Sequence, residues 1–336
     1  MALKDVSVII NVLHPAEVIG LGRPIIFTVG SKASYKEYRS LEALTADFNI
    51  STPTHKLAET IWAQKNKPKV IAVATYVDIM PTAGQSLAEV IEAYYEKLWH
   101  FALLADSTPA ERLVLSNAVE LHDFKFAVVQ TKDKTELSAF KHNAHTIPYY
   151  HTNDGERLDG AVIGDAASLT VGSITWKFRH DLKAVTPIDI TSDELEDIHE
   201  LGANCYVEKA GVPQTSEGLV ATGEYIDFYH GRDWIKVNGE TELQALLVNN
   251  DKIPSNDNGI SMIASTLTNV LTIGGKQGII DINKENQYDF TVNTISWEET
   301  DPDDQAKRVY SGVTFSYRAQ GAIHKINVTG EVMSNK

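Results

Sequence analysis

Residues 70–76 read Val-Ile-Ala-Val-Ala-Thr-Tyr, an uncharged run in which apolar and polar positions do not alternate. It reads as a strand buried on both faces. On its N-terminal side Ser51 and Thr52 offer caps for a helix to about Gln64, with Leu57, Ile61 and Trp62 at helical spacing. On its C-terminal side Ser86 caps a helix carrying Leu87, Val90, Ile91, Tyr94 and Leu98. The period keeps switching from there. Phe101 to Ala105 is an apolar run, Ser107 with Pro109 opens a helix to about Leu121, and Phe124 to Gln130 is a strand. Thr135 to Asn143 reads as a short helix, Thr146 to His151 as a strand and Leu158 to Ser168 as a helix. Strands without alternation, separated by helices, imply an α/β domain with a mostly parallel sheet covered on both faces.

The flanks have a different character. Val6, Val8, Ile10 and Val12 alternate along an N-terminal β arm, and Pro24 to Val29 is a second β-rich run after the Gly20-Leu-Gly22 turn. Thr191 to Glu194 is a capping box opening a helix to about Leu201, which Gly202 stops. Cys205 to Lys209 and Leu219 to Thr222 read as short strands. Tyr225 to about Val248 is a long helical segment weakened at Gly231 and Gly239, and Gly259 to about Ile273 is another beyond Pro254. The chain closes in β, with strands at Gly278 to Ile282, Tyr288 to Val292, Val313 to Arg318 and Ile323 to Val332. In the last, Ile326, Val328 and Val332 share a face. No internal repeat of about 20 to 50 residues is present. The expected division is an N-terminal arm with first strands over 1–30, an α/β domain over 31–200 and an α+β core with a terminal strand over 201–336.

Composition narrows the function. The 336 residues carry 30 Lys and Arg against 45 Asp and Glu, a formal charge of −15. A sequence-blind nucleic-acid binder needs a basic face and is excluded on that balance. Cys205 is the single cysteine, so no intramolecular disulfide forms, in keeping with a reducing compartment. Met1 to Val12 makes a poor signal peptide, and no run of about 18 apolar residues would span a bilayer.

Motifs for chemistry fail one by one. Gly274-Gly-Lys-Gln-Gly278 lacks the first glycine of a phosphate-binding loop and has Gln277 in place of Ser or Thr; a glycine helix stop accounts for it. His142, His145 and His151, with Asp154, form the densest potential metal cluster, but they cross from a helix end into a strand, which scatters the imidazoles. Asp281, Asn283 and Glu285 match the start of a calcium loop that Asn286 and Val292 then break. The acidic run Glu298, Glu299, Asp301, Asp303 and Asp304 reads as a solvated connection. Cys205, with no histidine near it in sequence, reads as a buried inert thiol. No catalytic, cofactor or metal residue is expected.

The C-terminal third carries a resemblance. The run Gly218-Leu-Val-Ala-Thr-Gly-Glu-Tyr-Ile-Asp-Phe-Tyr-His-Gly-Arg-Asp-Trp-Ile-Lys236, the helix to Leu247, Lys252-Ile-Pro, Asn258-Gly-Ile260 and Gly274 to Ile280 resemble the core of contractile phage tail sheath proteins. So do Arg308, Val313-Thr-Phe315, Gly321-Ala-Ile-His324 and Ile326-Asn-Val-Thr-Gly330. In order and spacing the likeness covers roughly Gly211 to Val332, and it is nearest to sheaths of tailed phages and phage-tail-like bacteriocins.

The resemblance implies a core at the inner radius that includes the N-terminal segment, with more variable parts inserted outward. It implies a structural subunit that stacks as hexameric rings around a tail tube and contracts to drive the tube through a cell envelope. Implied partners are copies of itself, the tail tube protein, and baseplate and tail terminator proteins, without membrane insertion. The implied setting is a virion tail or tail-like particle assembled in bacterial host cytoplasm. Neighbouring subunits would exchange terminal strands through Val6, Val8, Ile10, Val12, Ile323, Ile326, Val328 and Val332. Lys236, Lys252 and the loop Asn249 to Asn258 would face the tube.

The residues fit such an arrangement, since alternating terminal strands present open edges to a neighbour, although terminal strands also pair within their own chain. Repulsion between copies charged at −15 makes assembly salt-sensitive. The competing classes are an α/β enzyme with a site at the strand ends and another tail component, such as a tube or baseplate protein.

Overall fold

The computed structural model describes residues 20–79, 82–153 and 155–333. Its first part runs β1 (Pro24–Val29), β2 (Ser34–Tyr38), α1 (Leu41–Thr45), α2 (Pro53–Trp62), β3 (Ile71–Tyr76), α3 (Leu87–Ala93) and β4 (Phe101–Leu104). It continues through α4 (Pro109–Glu120), β5 (Phe126–Thr131), α5 (Lys134–Leu137), β6 (Thr146–Tyr150) and α6 (Leu158–Ala166). These strands form one six-stranded sheet in the order β2-β3-β1-β4-β5-β6, parallel throughout except for β2 against β3. Residues 70–76 supply β3 beside the central β1, with Phe27 opposite both Ala74 and Leu104.

Both sheet faces are covered, as the unbroken apolar strands require. On one, Leu57 and Ile61 of α2 and Leu158 to Ile163 of α6 pack with Ile26, Val73, Leu103 and Val128. The two helices approach closely because α6 carries glycines there. A Cβ on Gly164 would lie 2.4 Å from the Ile61 carbonyl oxygen. On the other face Val90 and Ile91 of α3 and Leu115 and Val119 of α4 cover Ile25, Phe27 and Ala102. The helix starts are chemically specified. Ser86 with Glu89 and Thr108 with Glu111 form capping boxes, so Thr108 rather than Ser107 caps α4, while Ser107 accepts from Arg112.

The sequence pattern did not reveal β2. Its Ser-Tyr-Lys-Glu-Tyr buries only Tyr38, because one side of this strand faces open solvent at the sheet edge. Lys36 and Tyr38 both bond Asp47, and charges along such an edge discourage further pairing.

The second part comprises α7 (Ser192–Glu200), the hairpin β7 (Tyr206–Lys209) and β8 (Val212–Thr215), α8 (Ile226–Val248), α9 (Asp257–Gln277), β9 (Phe290–Thr294), α10 (Pro302–Ala306) and β10 (Val313–Tyr317). β9 and β10 pair antiparallel in a second hairpin. Helix α8 is unbroken through Gly231 and Gly239 and about 34 Å long at 1.5 Å per residue. Helix α9 begins at its Asn256 cap, ahead of the expected Gly259, and ends where Gly278 adopts φ 89°, a left-handed cap that glycine alone takes without strain.

Three expected strands do not form. Leu219 to Thr222 stays irregular because Asn204 satisfies it from the side: Asn204 Nδ2 donates to the Leu219 carbonyl and Asn204 Oδ1 accepts the Leu219 N–H. Val212 to Thr215 pairs with β7 instead. Gly278 to Ile282 makes only isolated bridges, as Ile279 donates back to Gly274 at the helix end and accepts from Gln320. Ile323 to Val332 forms no strand in this chain alone.

Candidate assembly interface

Helix α8 is seated against the N-terminal ends of the parallel strands through a buried polar cluster. His100, at the start of β4, places Nε2 3.1 Å from Oδ2 of Asp233 on α8, and both side chains are 1% exposed. Arg232 reaches the other carboxylate oxygen of Asp233 at 3.1 Å, Asp123 Oδ1 at 3.0 Å and His145 Nε2 at 2.8 Å. His230 Nε2 sits 2.9 Å from the Leu21 carbonyl oxygen, which joins α8 to the turn before β1. Burial pushes the Asp233 carboxyl up to about 6 against the opposing pull of Arg232. Burial also holds His100 well below its ordinary value and takes His230 down to about 3. Near neutral pH the pair is therefore a carboxylate and a neutral imidazole. Beside it Lys125 donates to the Tyr95 and Lys97 carbonyls with its ammonium 4.0 Å from the Trp99 ring, and burial lowers it to about 7. This junction fixes α8 to the α/β body.

Beyond the junction the chain presents unsatisfied surface. Past β10 the segment 321–333 leaves the body, with Ile323 80%, Ile326 79%, Val328 87% and Val332 99% exposed. Isolated exposed apolar residues are ordinary, but four in one extended segment form a surface suited to a partner. Between the α8–α9 turn and α10 lies a cleft of about 1200 Å³ that includes Leu247, Lys252, Ile253 and Trp297. Lys252 is exposed on its rim, and Lys236 is exposed mid-helix with its ammonium 5.1 Å from the Phe124 ring. The two lysines thus occupy separate places on the α8–α9 unit. Val6, Val8, Ile10 and Val12 lie outside the described residues.

The weaker candidates take up structural roles. Gly274 to Gly278 is the end of α9, where a Cβ on Gly275 would meet the Tyr288 ring at 2.4 Å. His145 joins the α8 junction while His151 sits 2.8 Å from Glu156, so the two do not converge; Asp154 lies outside the described residues. Among the described residues no group of three His, Cys, Asp or Glu is placed to hold a metal ion. Asn283 Oδ1 accepts two backbone N–H groups of its own turn, from Glu285 and Gln287. The acidic run, expected as a plain connection, is locally built: Glu299 closes a capping box with Ser296 and Asp301 caps α10. Cys205 is buried, and its burial pushes the thiol up to about 12. Beside the point where the strand order reverses, doubly wound sheets take their ligands at the carboxyl ends. There the crevice, about 200 Å³, holds Arg112 paired with Glu136 and Arg157 paired with Asp159.

Comparison with known proteins addresses the whole arrangement. Residues 226–332, from the first residue of α8 into the exposed segment, match the family described as E217 tail sheath protein gp31-like, C-terminal domain. The whole chain superposes on a chain from the anti-feeding prophage baseplate with TM-score 0.74, at 13% identity over 99% of this chain and 100% of that one. The chain has the tail sheath fold. The PVC sheath complex of an extracellular contractile injection system, in its contracted state, gives TM-score 0.71 at 10% identity over 100% and 99% of the two chains. The sheath tail protein Lin1278 from Listeria innocua gives 0.55 at 11% identity over 80% and 88%. No curated protein sequence matches. The matched family and the sheath structures are structural proteins, not enzymes. The family match and the earlier resemblance coincide over α8, α9, the β9–β10 hairpin and the terminal segment, which includes the exposed Ile323, Ile326, Val328 and Val332.

Proposed function

We propose that this chain is the structural subunit of a contractile sheath, polymerising as stacked hexameric rings around a tail tube and shortening to drive the tube through a cell envelope. The observation that carries the reading is the sheath C-terminal domain match over 226–332. An extended segment with exposed Ile323, Ile326, Val328 and Val332 supports it, because backbone groups and alternate side chains left open in one copy suit strand addition to the next. In this account the N-terminal stretch with Val6, Val8, Ile10 and Val12 and the C-terminal segment are exchanged, part of 31–200 is inserted outward, and 201–336 forms the inner core. Contraction is a rigid-body rearrangement of subunits linked by these segments.

Lys236 and Lys252 offer positive charge to a tube. Baseplate and terminator proteins cap the array, within a phage tail or tail-like particle assembled in bacterial host cytoplasm. A net charge of −15 per copy delays self-association and makes polymerisation depend on ionic strength.

Removing residues 1–15 tests the exchange. The truncated monomer keeps its thermal midpoint, and electron microscopy shows no polymer. A truncated monomer that unfolds contradicts the reading, because the segment then belongs to its own subunit's core.

A further inference from the structure

Between residues 321 and 333 one side chain is not exposed, and it is His324. Its Nε2 lies 2.8 Å from Thr175 Oγ1, and its Nδ1 lies 3.4 Å from Glu217 Oε2. The Tyr225 ring stands edge-on to the imidazole at 4.9 Å and the Phe178 ring at 5.9 Å. Glu217 is itself held by Lys177 through its other oxygen. These groups come from three separate parts of the chain: the loop after α6, the loop after β8, and the cap of α8. The imidazole thus bonds Thr175 on one nitrogen, faces the Glu217 carboxylate on the other and has two aromatic neighbours, while Ile323 before it and Ile326 after it face solvent.

We infer that His324 is the anchor from which the exchangeable C-terminal segment leaves its own subunit, with Thr175, Glu217 and Tyr225 as its socket. The inference rests on the strand-exchange reading above and adds to it a positioning residue. The last backbone hydrogen bond before the segment is from Gln320 to Ile279, so without the anchor the chain swings from residue 321 through Gly321 and Ala322. Anchoring shortens the swinging part to 325–333. By the −3/2 power dependence of effective concentration on length, that change alone raises local concentration by less than about twofold. The larger effect is direction: a ring fixed by two polar contacts and two aromatic neighbours sets the first bond vector of the segment, which cuts the orientational cost of meeting a neighbour's edge.

The chemistry suits a neutral imidazole, with Nε2 accepting the Thr175 hydroxyl and the Nδ1 edge turned to the Glu217 carboxylate at 3.4 Å. Removing the ring leaves Glu217 Oε2, which is buried and makes no hydrogen bond, without the imidazole nitrogen that faces it.

Lys325 follows the anchor and gives a native probe. Trypsin cleavage after Lys325 in the full chain, followed by intact mass for loss of residues 326–336, is slow when residues around it are held. We expect His324→Ala to accelerate it at least tenfold with little change in thermal midpoint. Thr175→Val, which leaves the cleaved sequence untouched, accelerates it in the same direction. His324→Gln, whose amide nitrogen can reach Thr175, restores most of the protection. Polymer yield by sedimentation falls at least tenfold in His324→Ala and recovers in His324→Gln.

Equal cleavage rates in the parent, His324→Ala and Thr175→Val overturn the anchor. Faster cleavage with undiminished polymer overturns its positioning role. A parent chain that never polymerises, yet shows the cleavage contrast, fails the sheath reading while the anchor stands.

Discussion

Deleting residues 326–336 abolishes polymerisation and leaves the monomer's unfolding transition where it was. Ile326, Val328 and Val332 are each at least 79% exposed, so the monomer loses almost no buried apolar area with them. Surface changes of this kind usually stay within about 0.5 kcal/mol. Assembly is another matter. If a neighbour's sheet takes up this segment, each subunit contact loses a row of main-chain hydrogen bonds together with the burial of those side chains. Because every contact in an array repeats, even about 1.4 kcal/mol per contact costs tenfold in each association constant and stops growth at working concentrations. The paired measurement is thermal unfolding of the truncated monomer and sedimentation of the polymer. Unfolding at a markedly lower temperature would mean that the segment pairs with its own chain. Normal polymer would mean that the segment takes no part in assembly.

Asp233→Ala has the largest expected effect on the monomer. The carboxylate is 1% exposed and faces His100 at 3.1 Å on one oxygen and Arg232 at 3.1 Å on the other. Removing one member of a buried pair strands its partner, and losses of about 3–5 kcal/mol are typical. Arg232 retains Asp123, which places the expected loss toward the lower end of that range.

Asp233→Asn tests the same site through pH. The folded chain holds a proton on Asp233 up to about pH 6, whereas an unfolded aspartate releases it near its ordinary value of 3.8. A carboxyl raised in the folded state withdraws stability as pH rises through its folded value and returns it as pH falls toward the unfolded one. The parent therefore gains from acidification between about pH 6 and 4 a contribution that Asp233→Asn lacks. The gap between their unfolding midpoints widens toward acid over that window. A gap that narrows toward acid contradicts the assignment of a raised carboxyl.

The α/β body was legible because its signals are local. Residues 70–76, 101–105 and 146–151 are uncharged or nearly so along both faces, and Ser86, Thr191 and Pro109 mark helix starts by their own chemistry. Where the reading failed, a tertiary partner had replaced a local rule. Strand β2 is a polar edge that only its neighbour β3 makes a strand. Leu219 to Thr222 has strand composition, but the Asn204 side chain takes the backbone groups that a ladder would have used.

The proposed assembly surface was half legible. Alternation at Ile326, Val328 and Val332 pointed to a segment that finds no strand partner within the chain, yet nothing in spacing indicated that His324 would meet Thr175, 149 residues away, and Glu217 in another loop. The junction of His100, His145 and Asp233 was equally hidden, since those residues come from three elements and meet only when α8 docks under the sheet. Looking for buried polar types on otherwise apolar strand starts, such as His100 beside Phe101, is the one sequence signal that would have raised it.

Whether this chain builds a sheath is decided by electron microscopy of the purified protein across a series of ionic strengths. Cylinders with helical striations, in an abundance that changes with salt, are the expected result. A monodisperse small oligomer under every condition would contradict it.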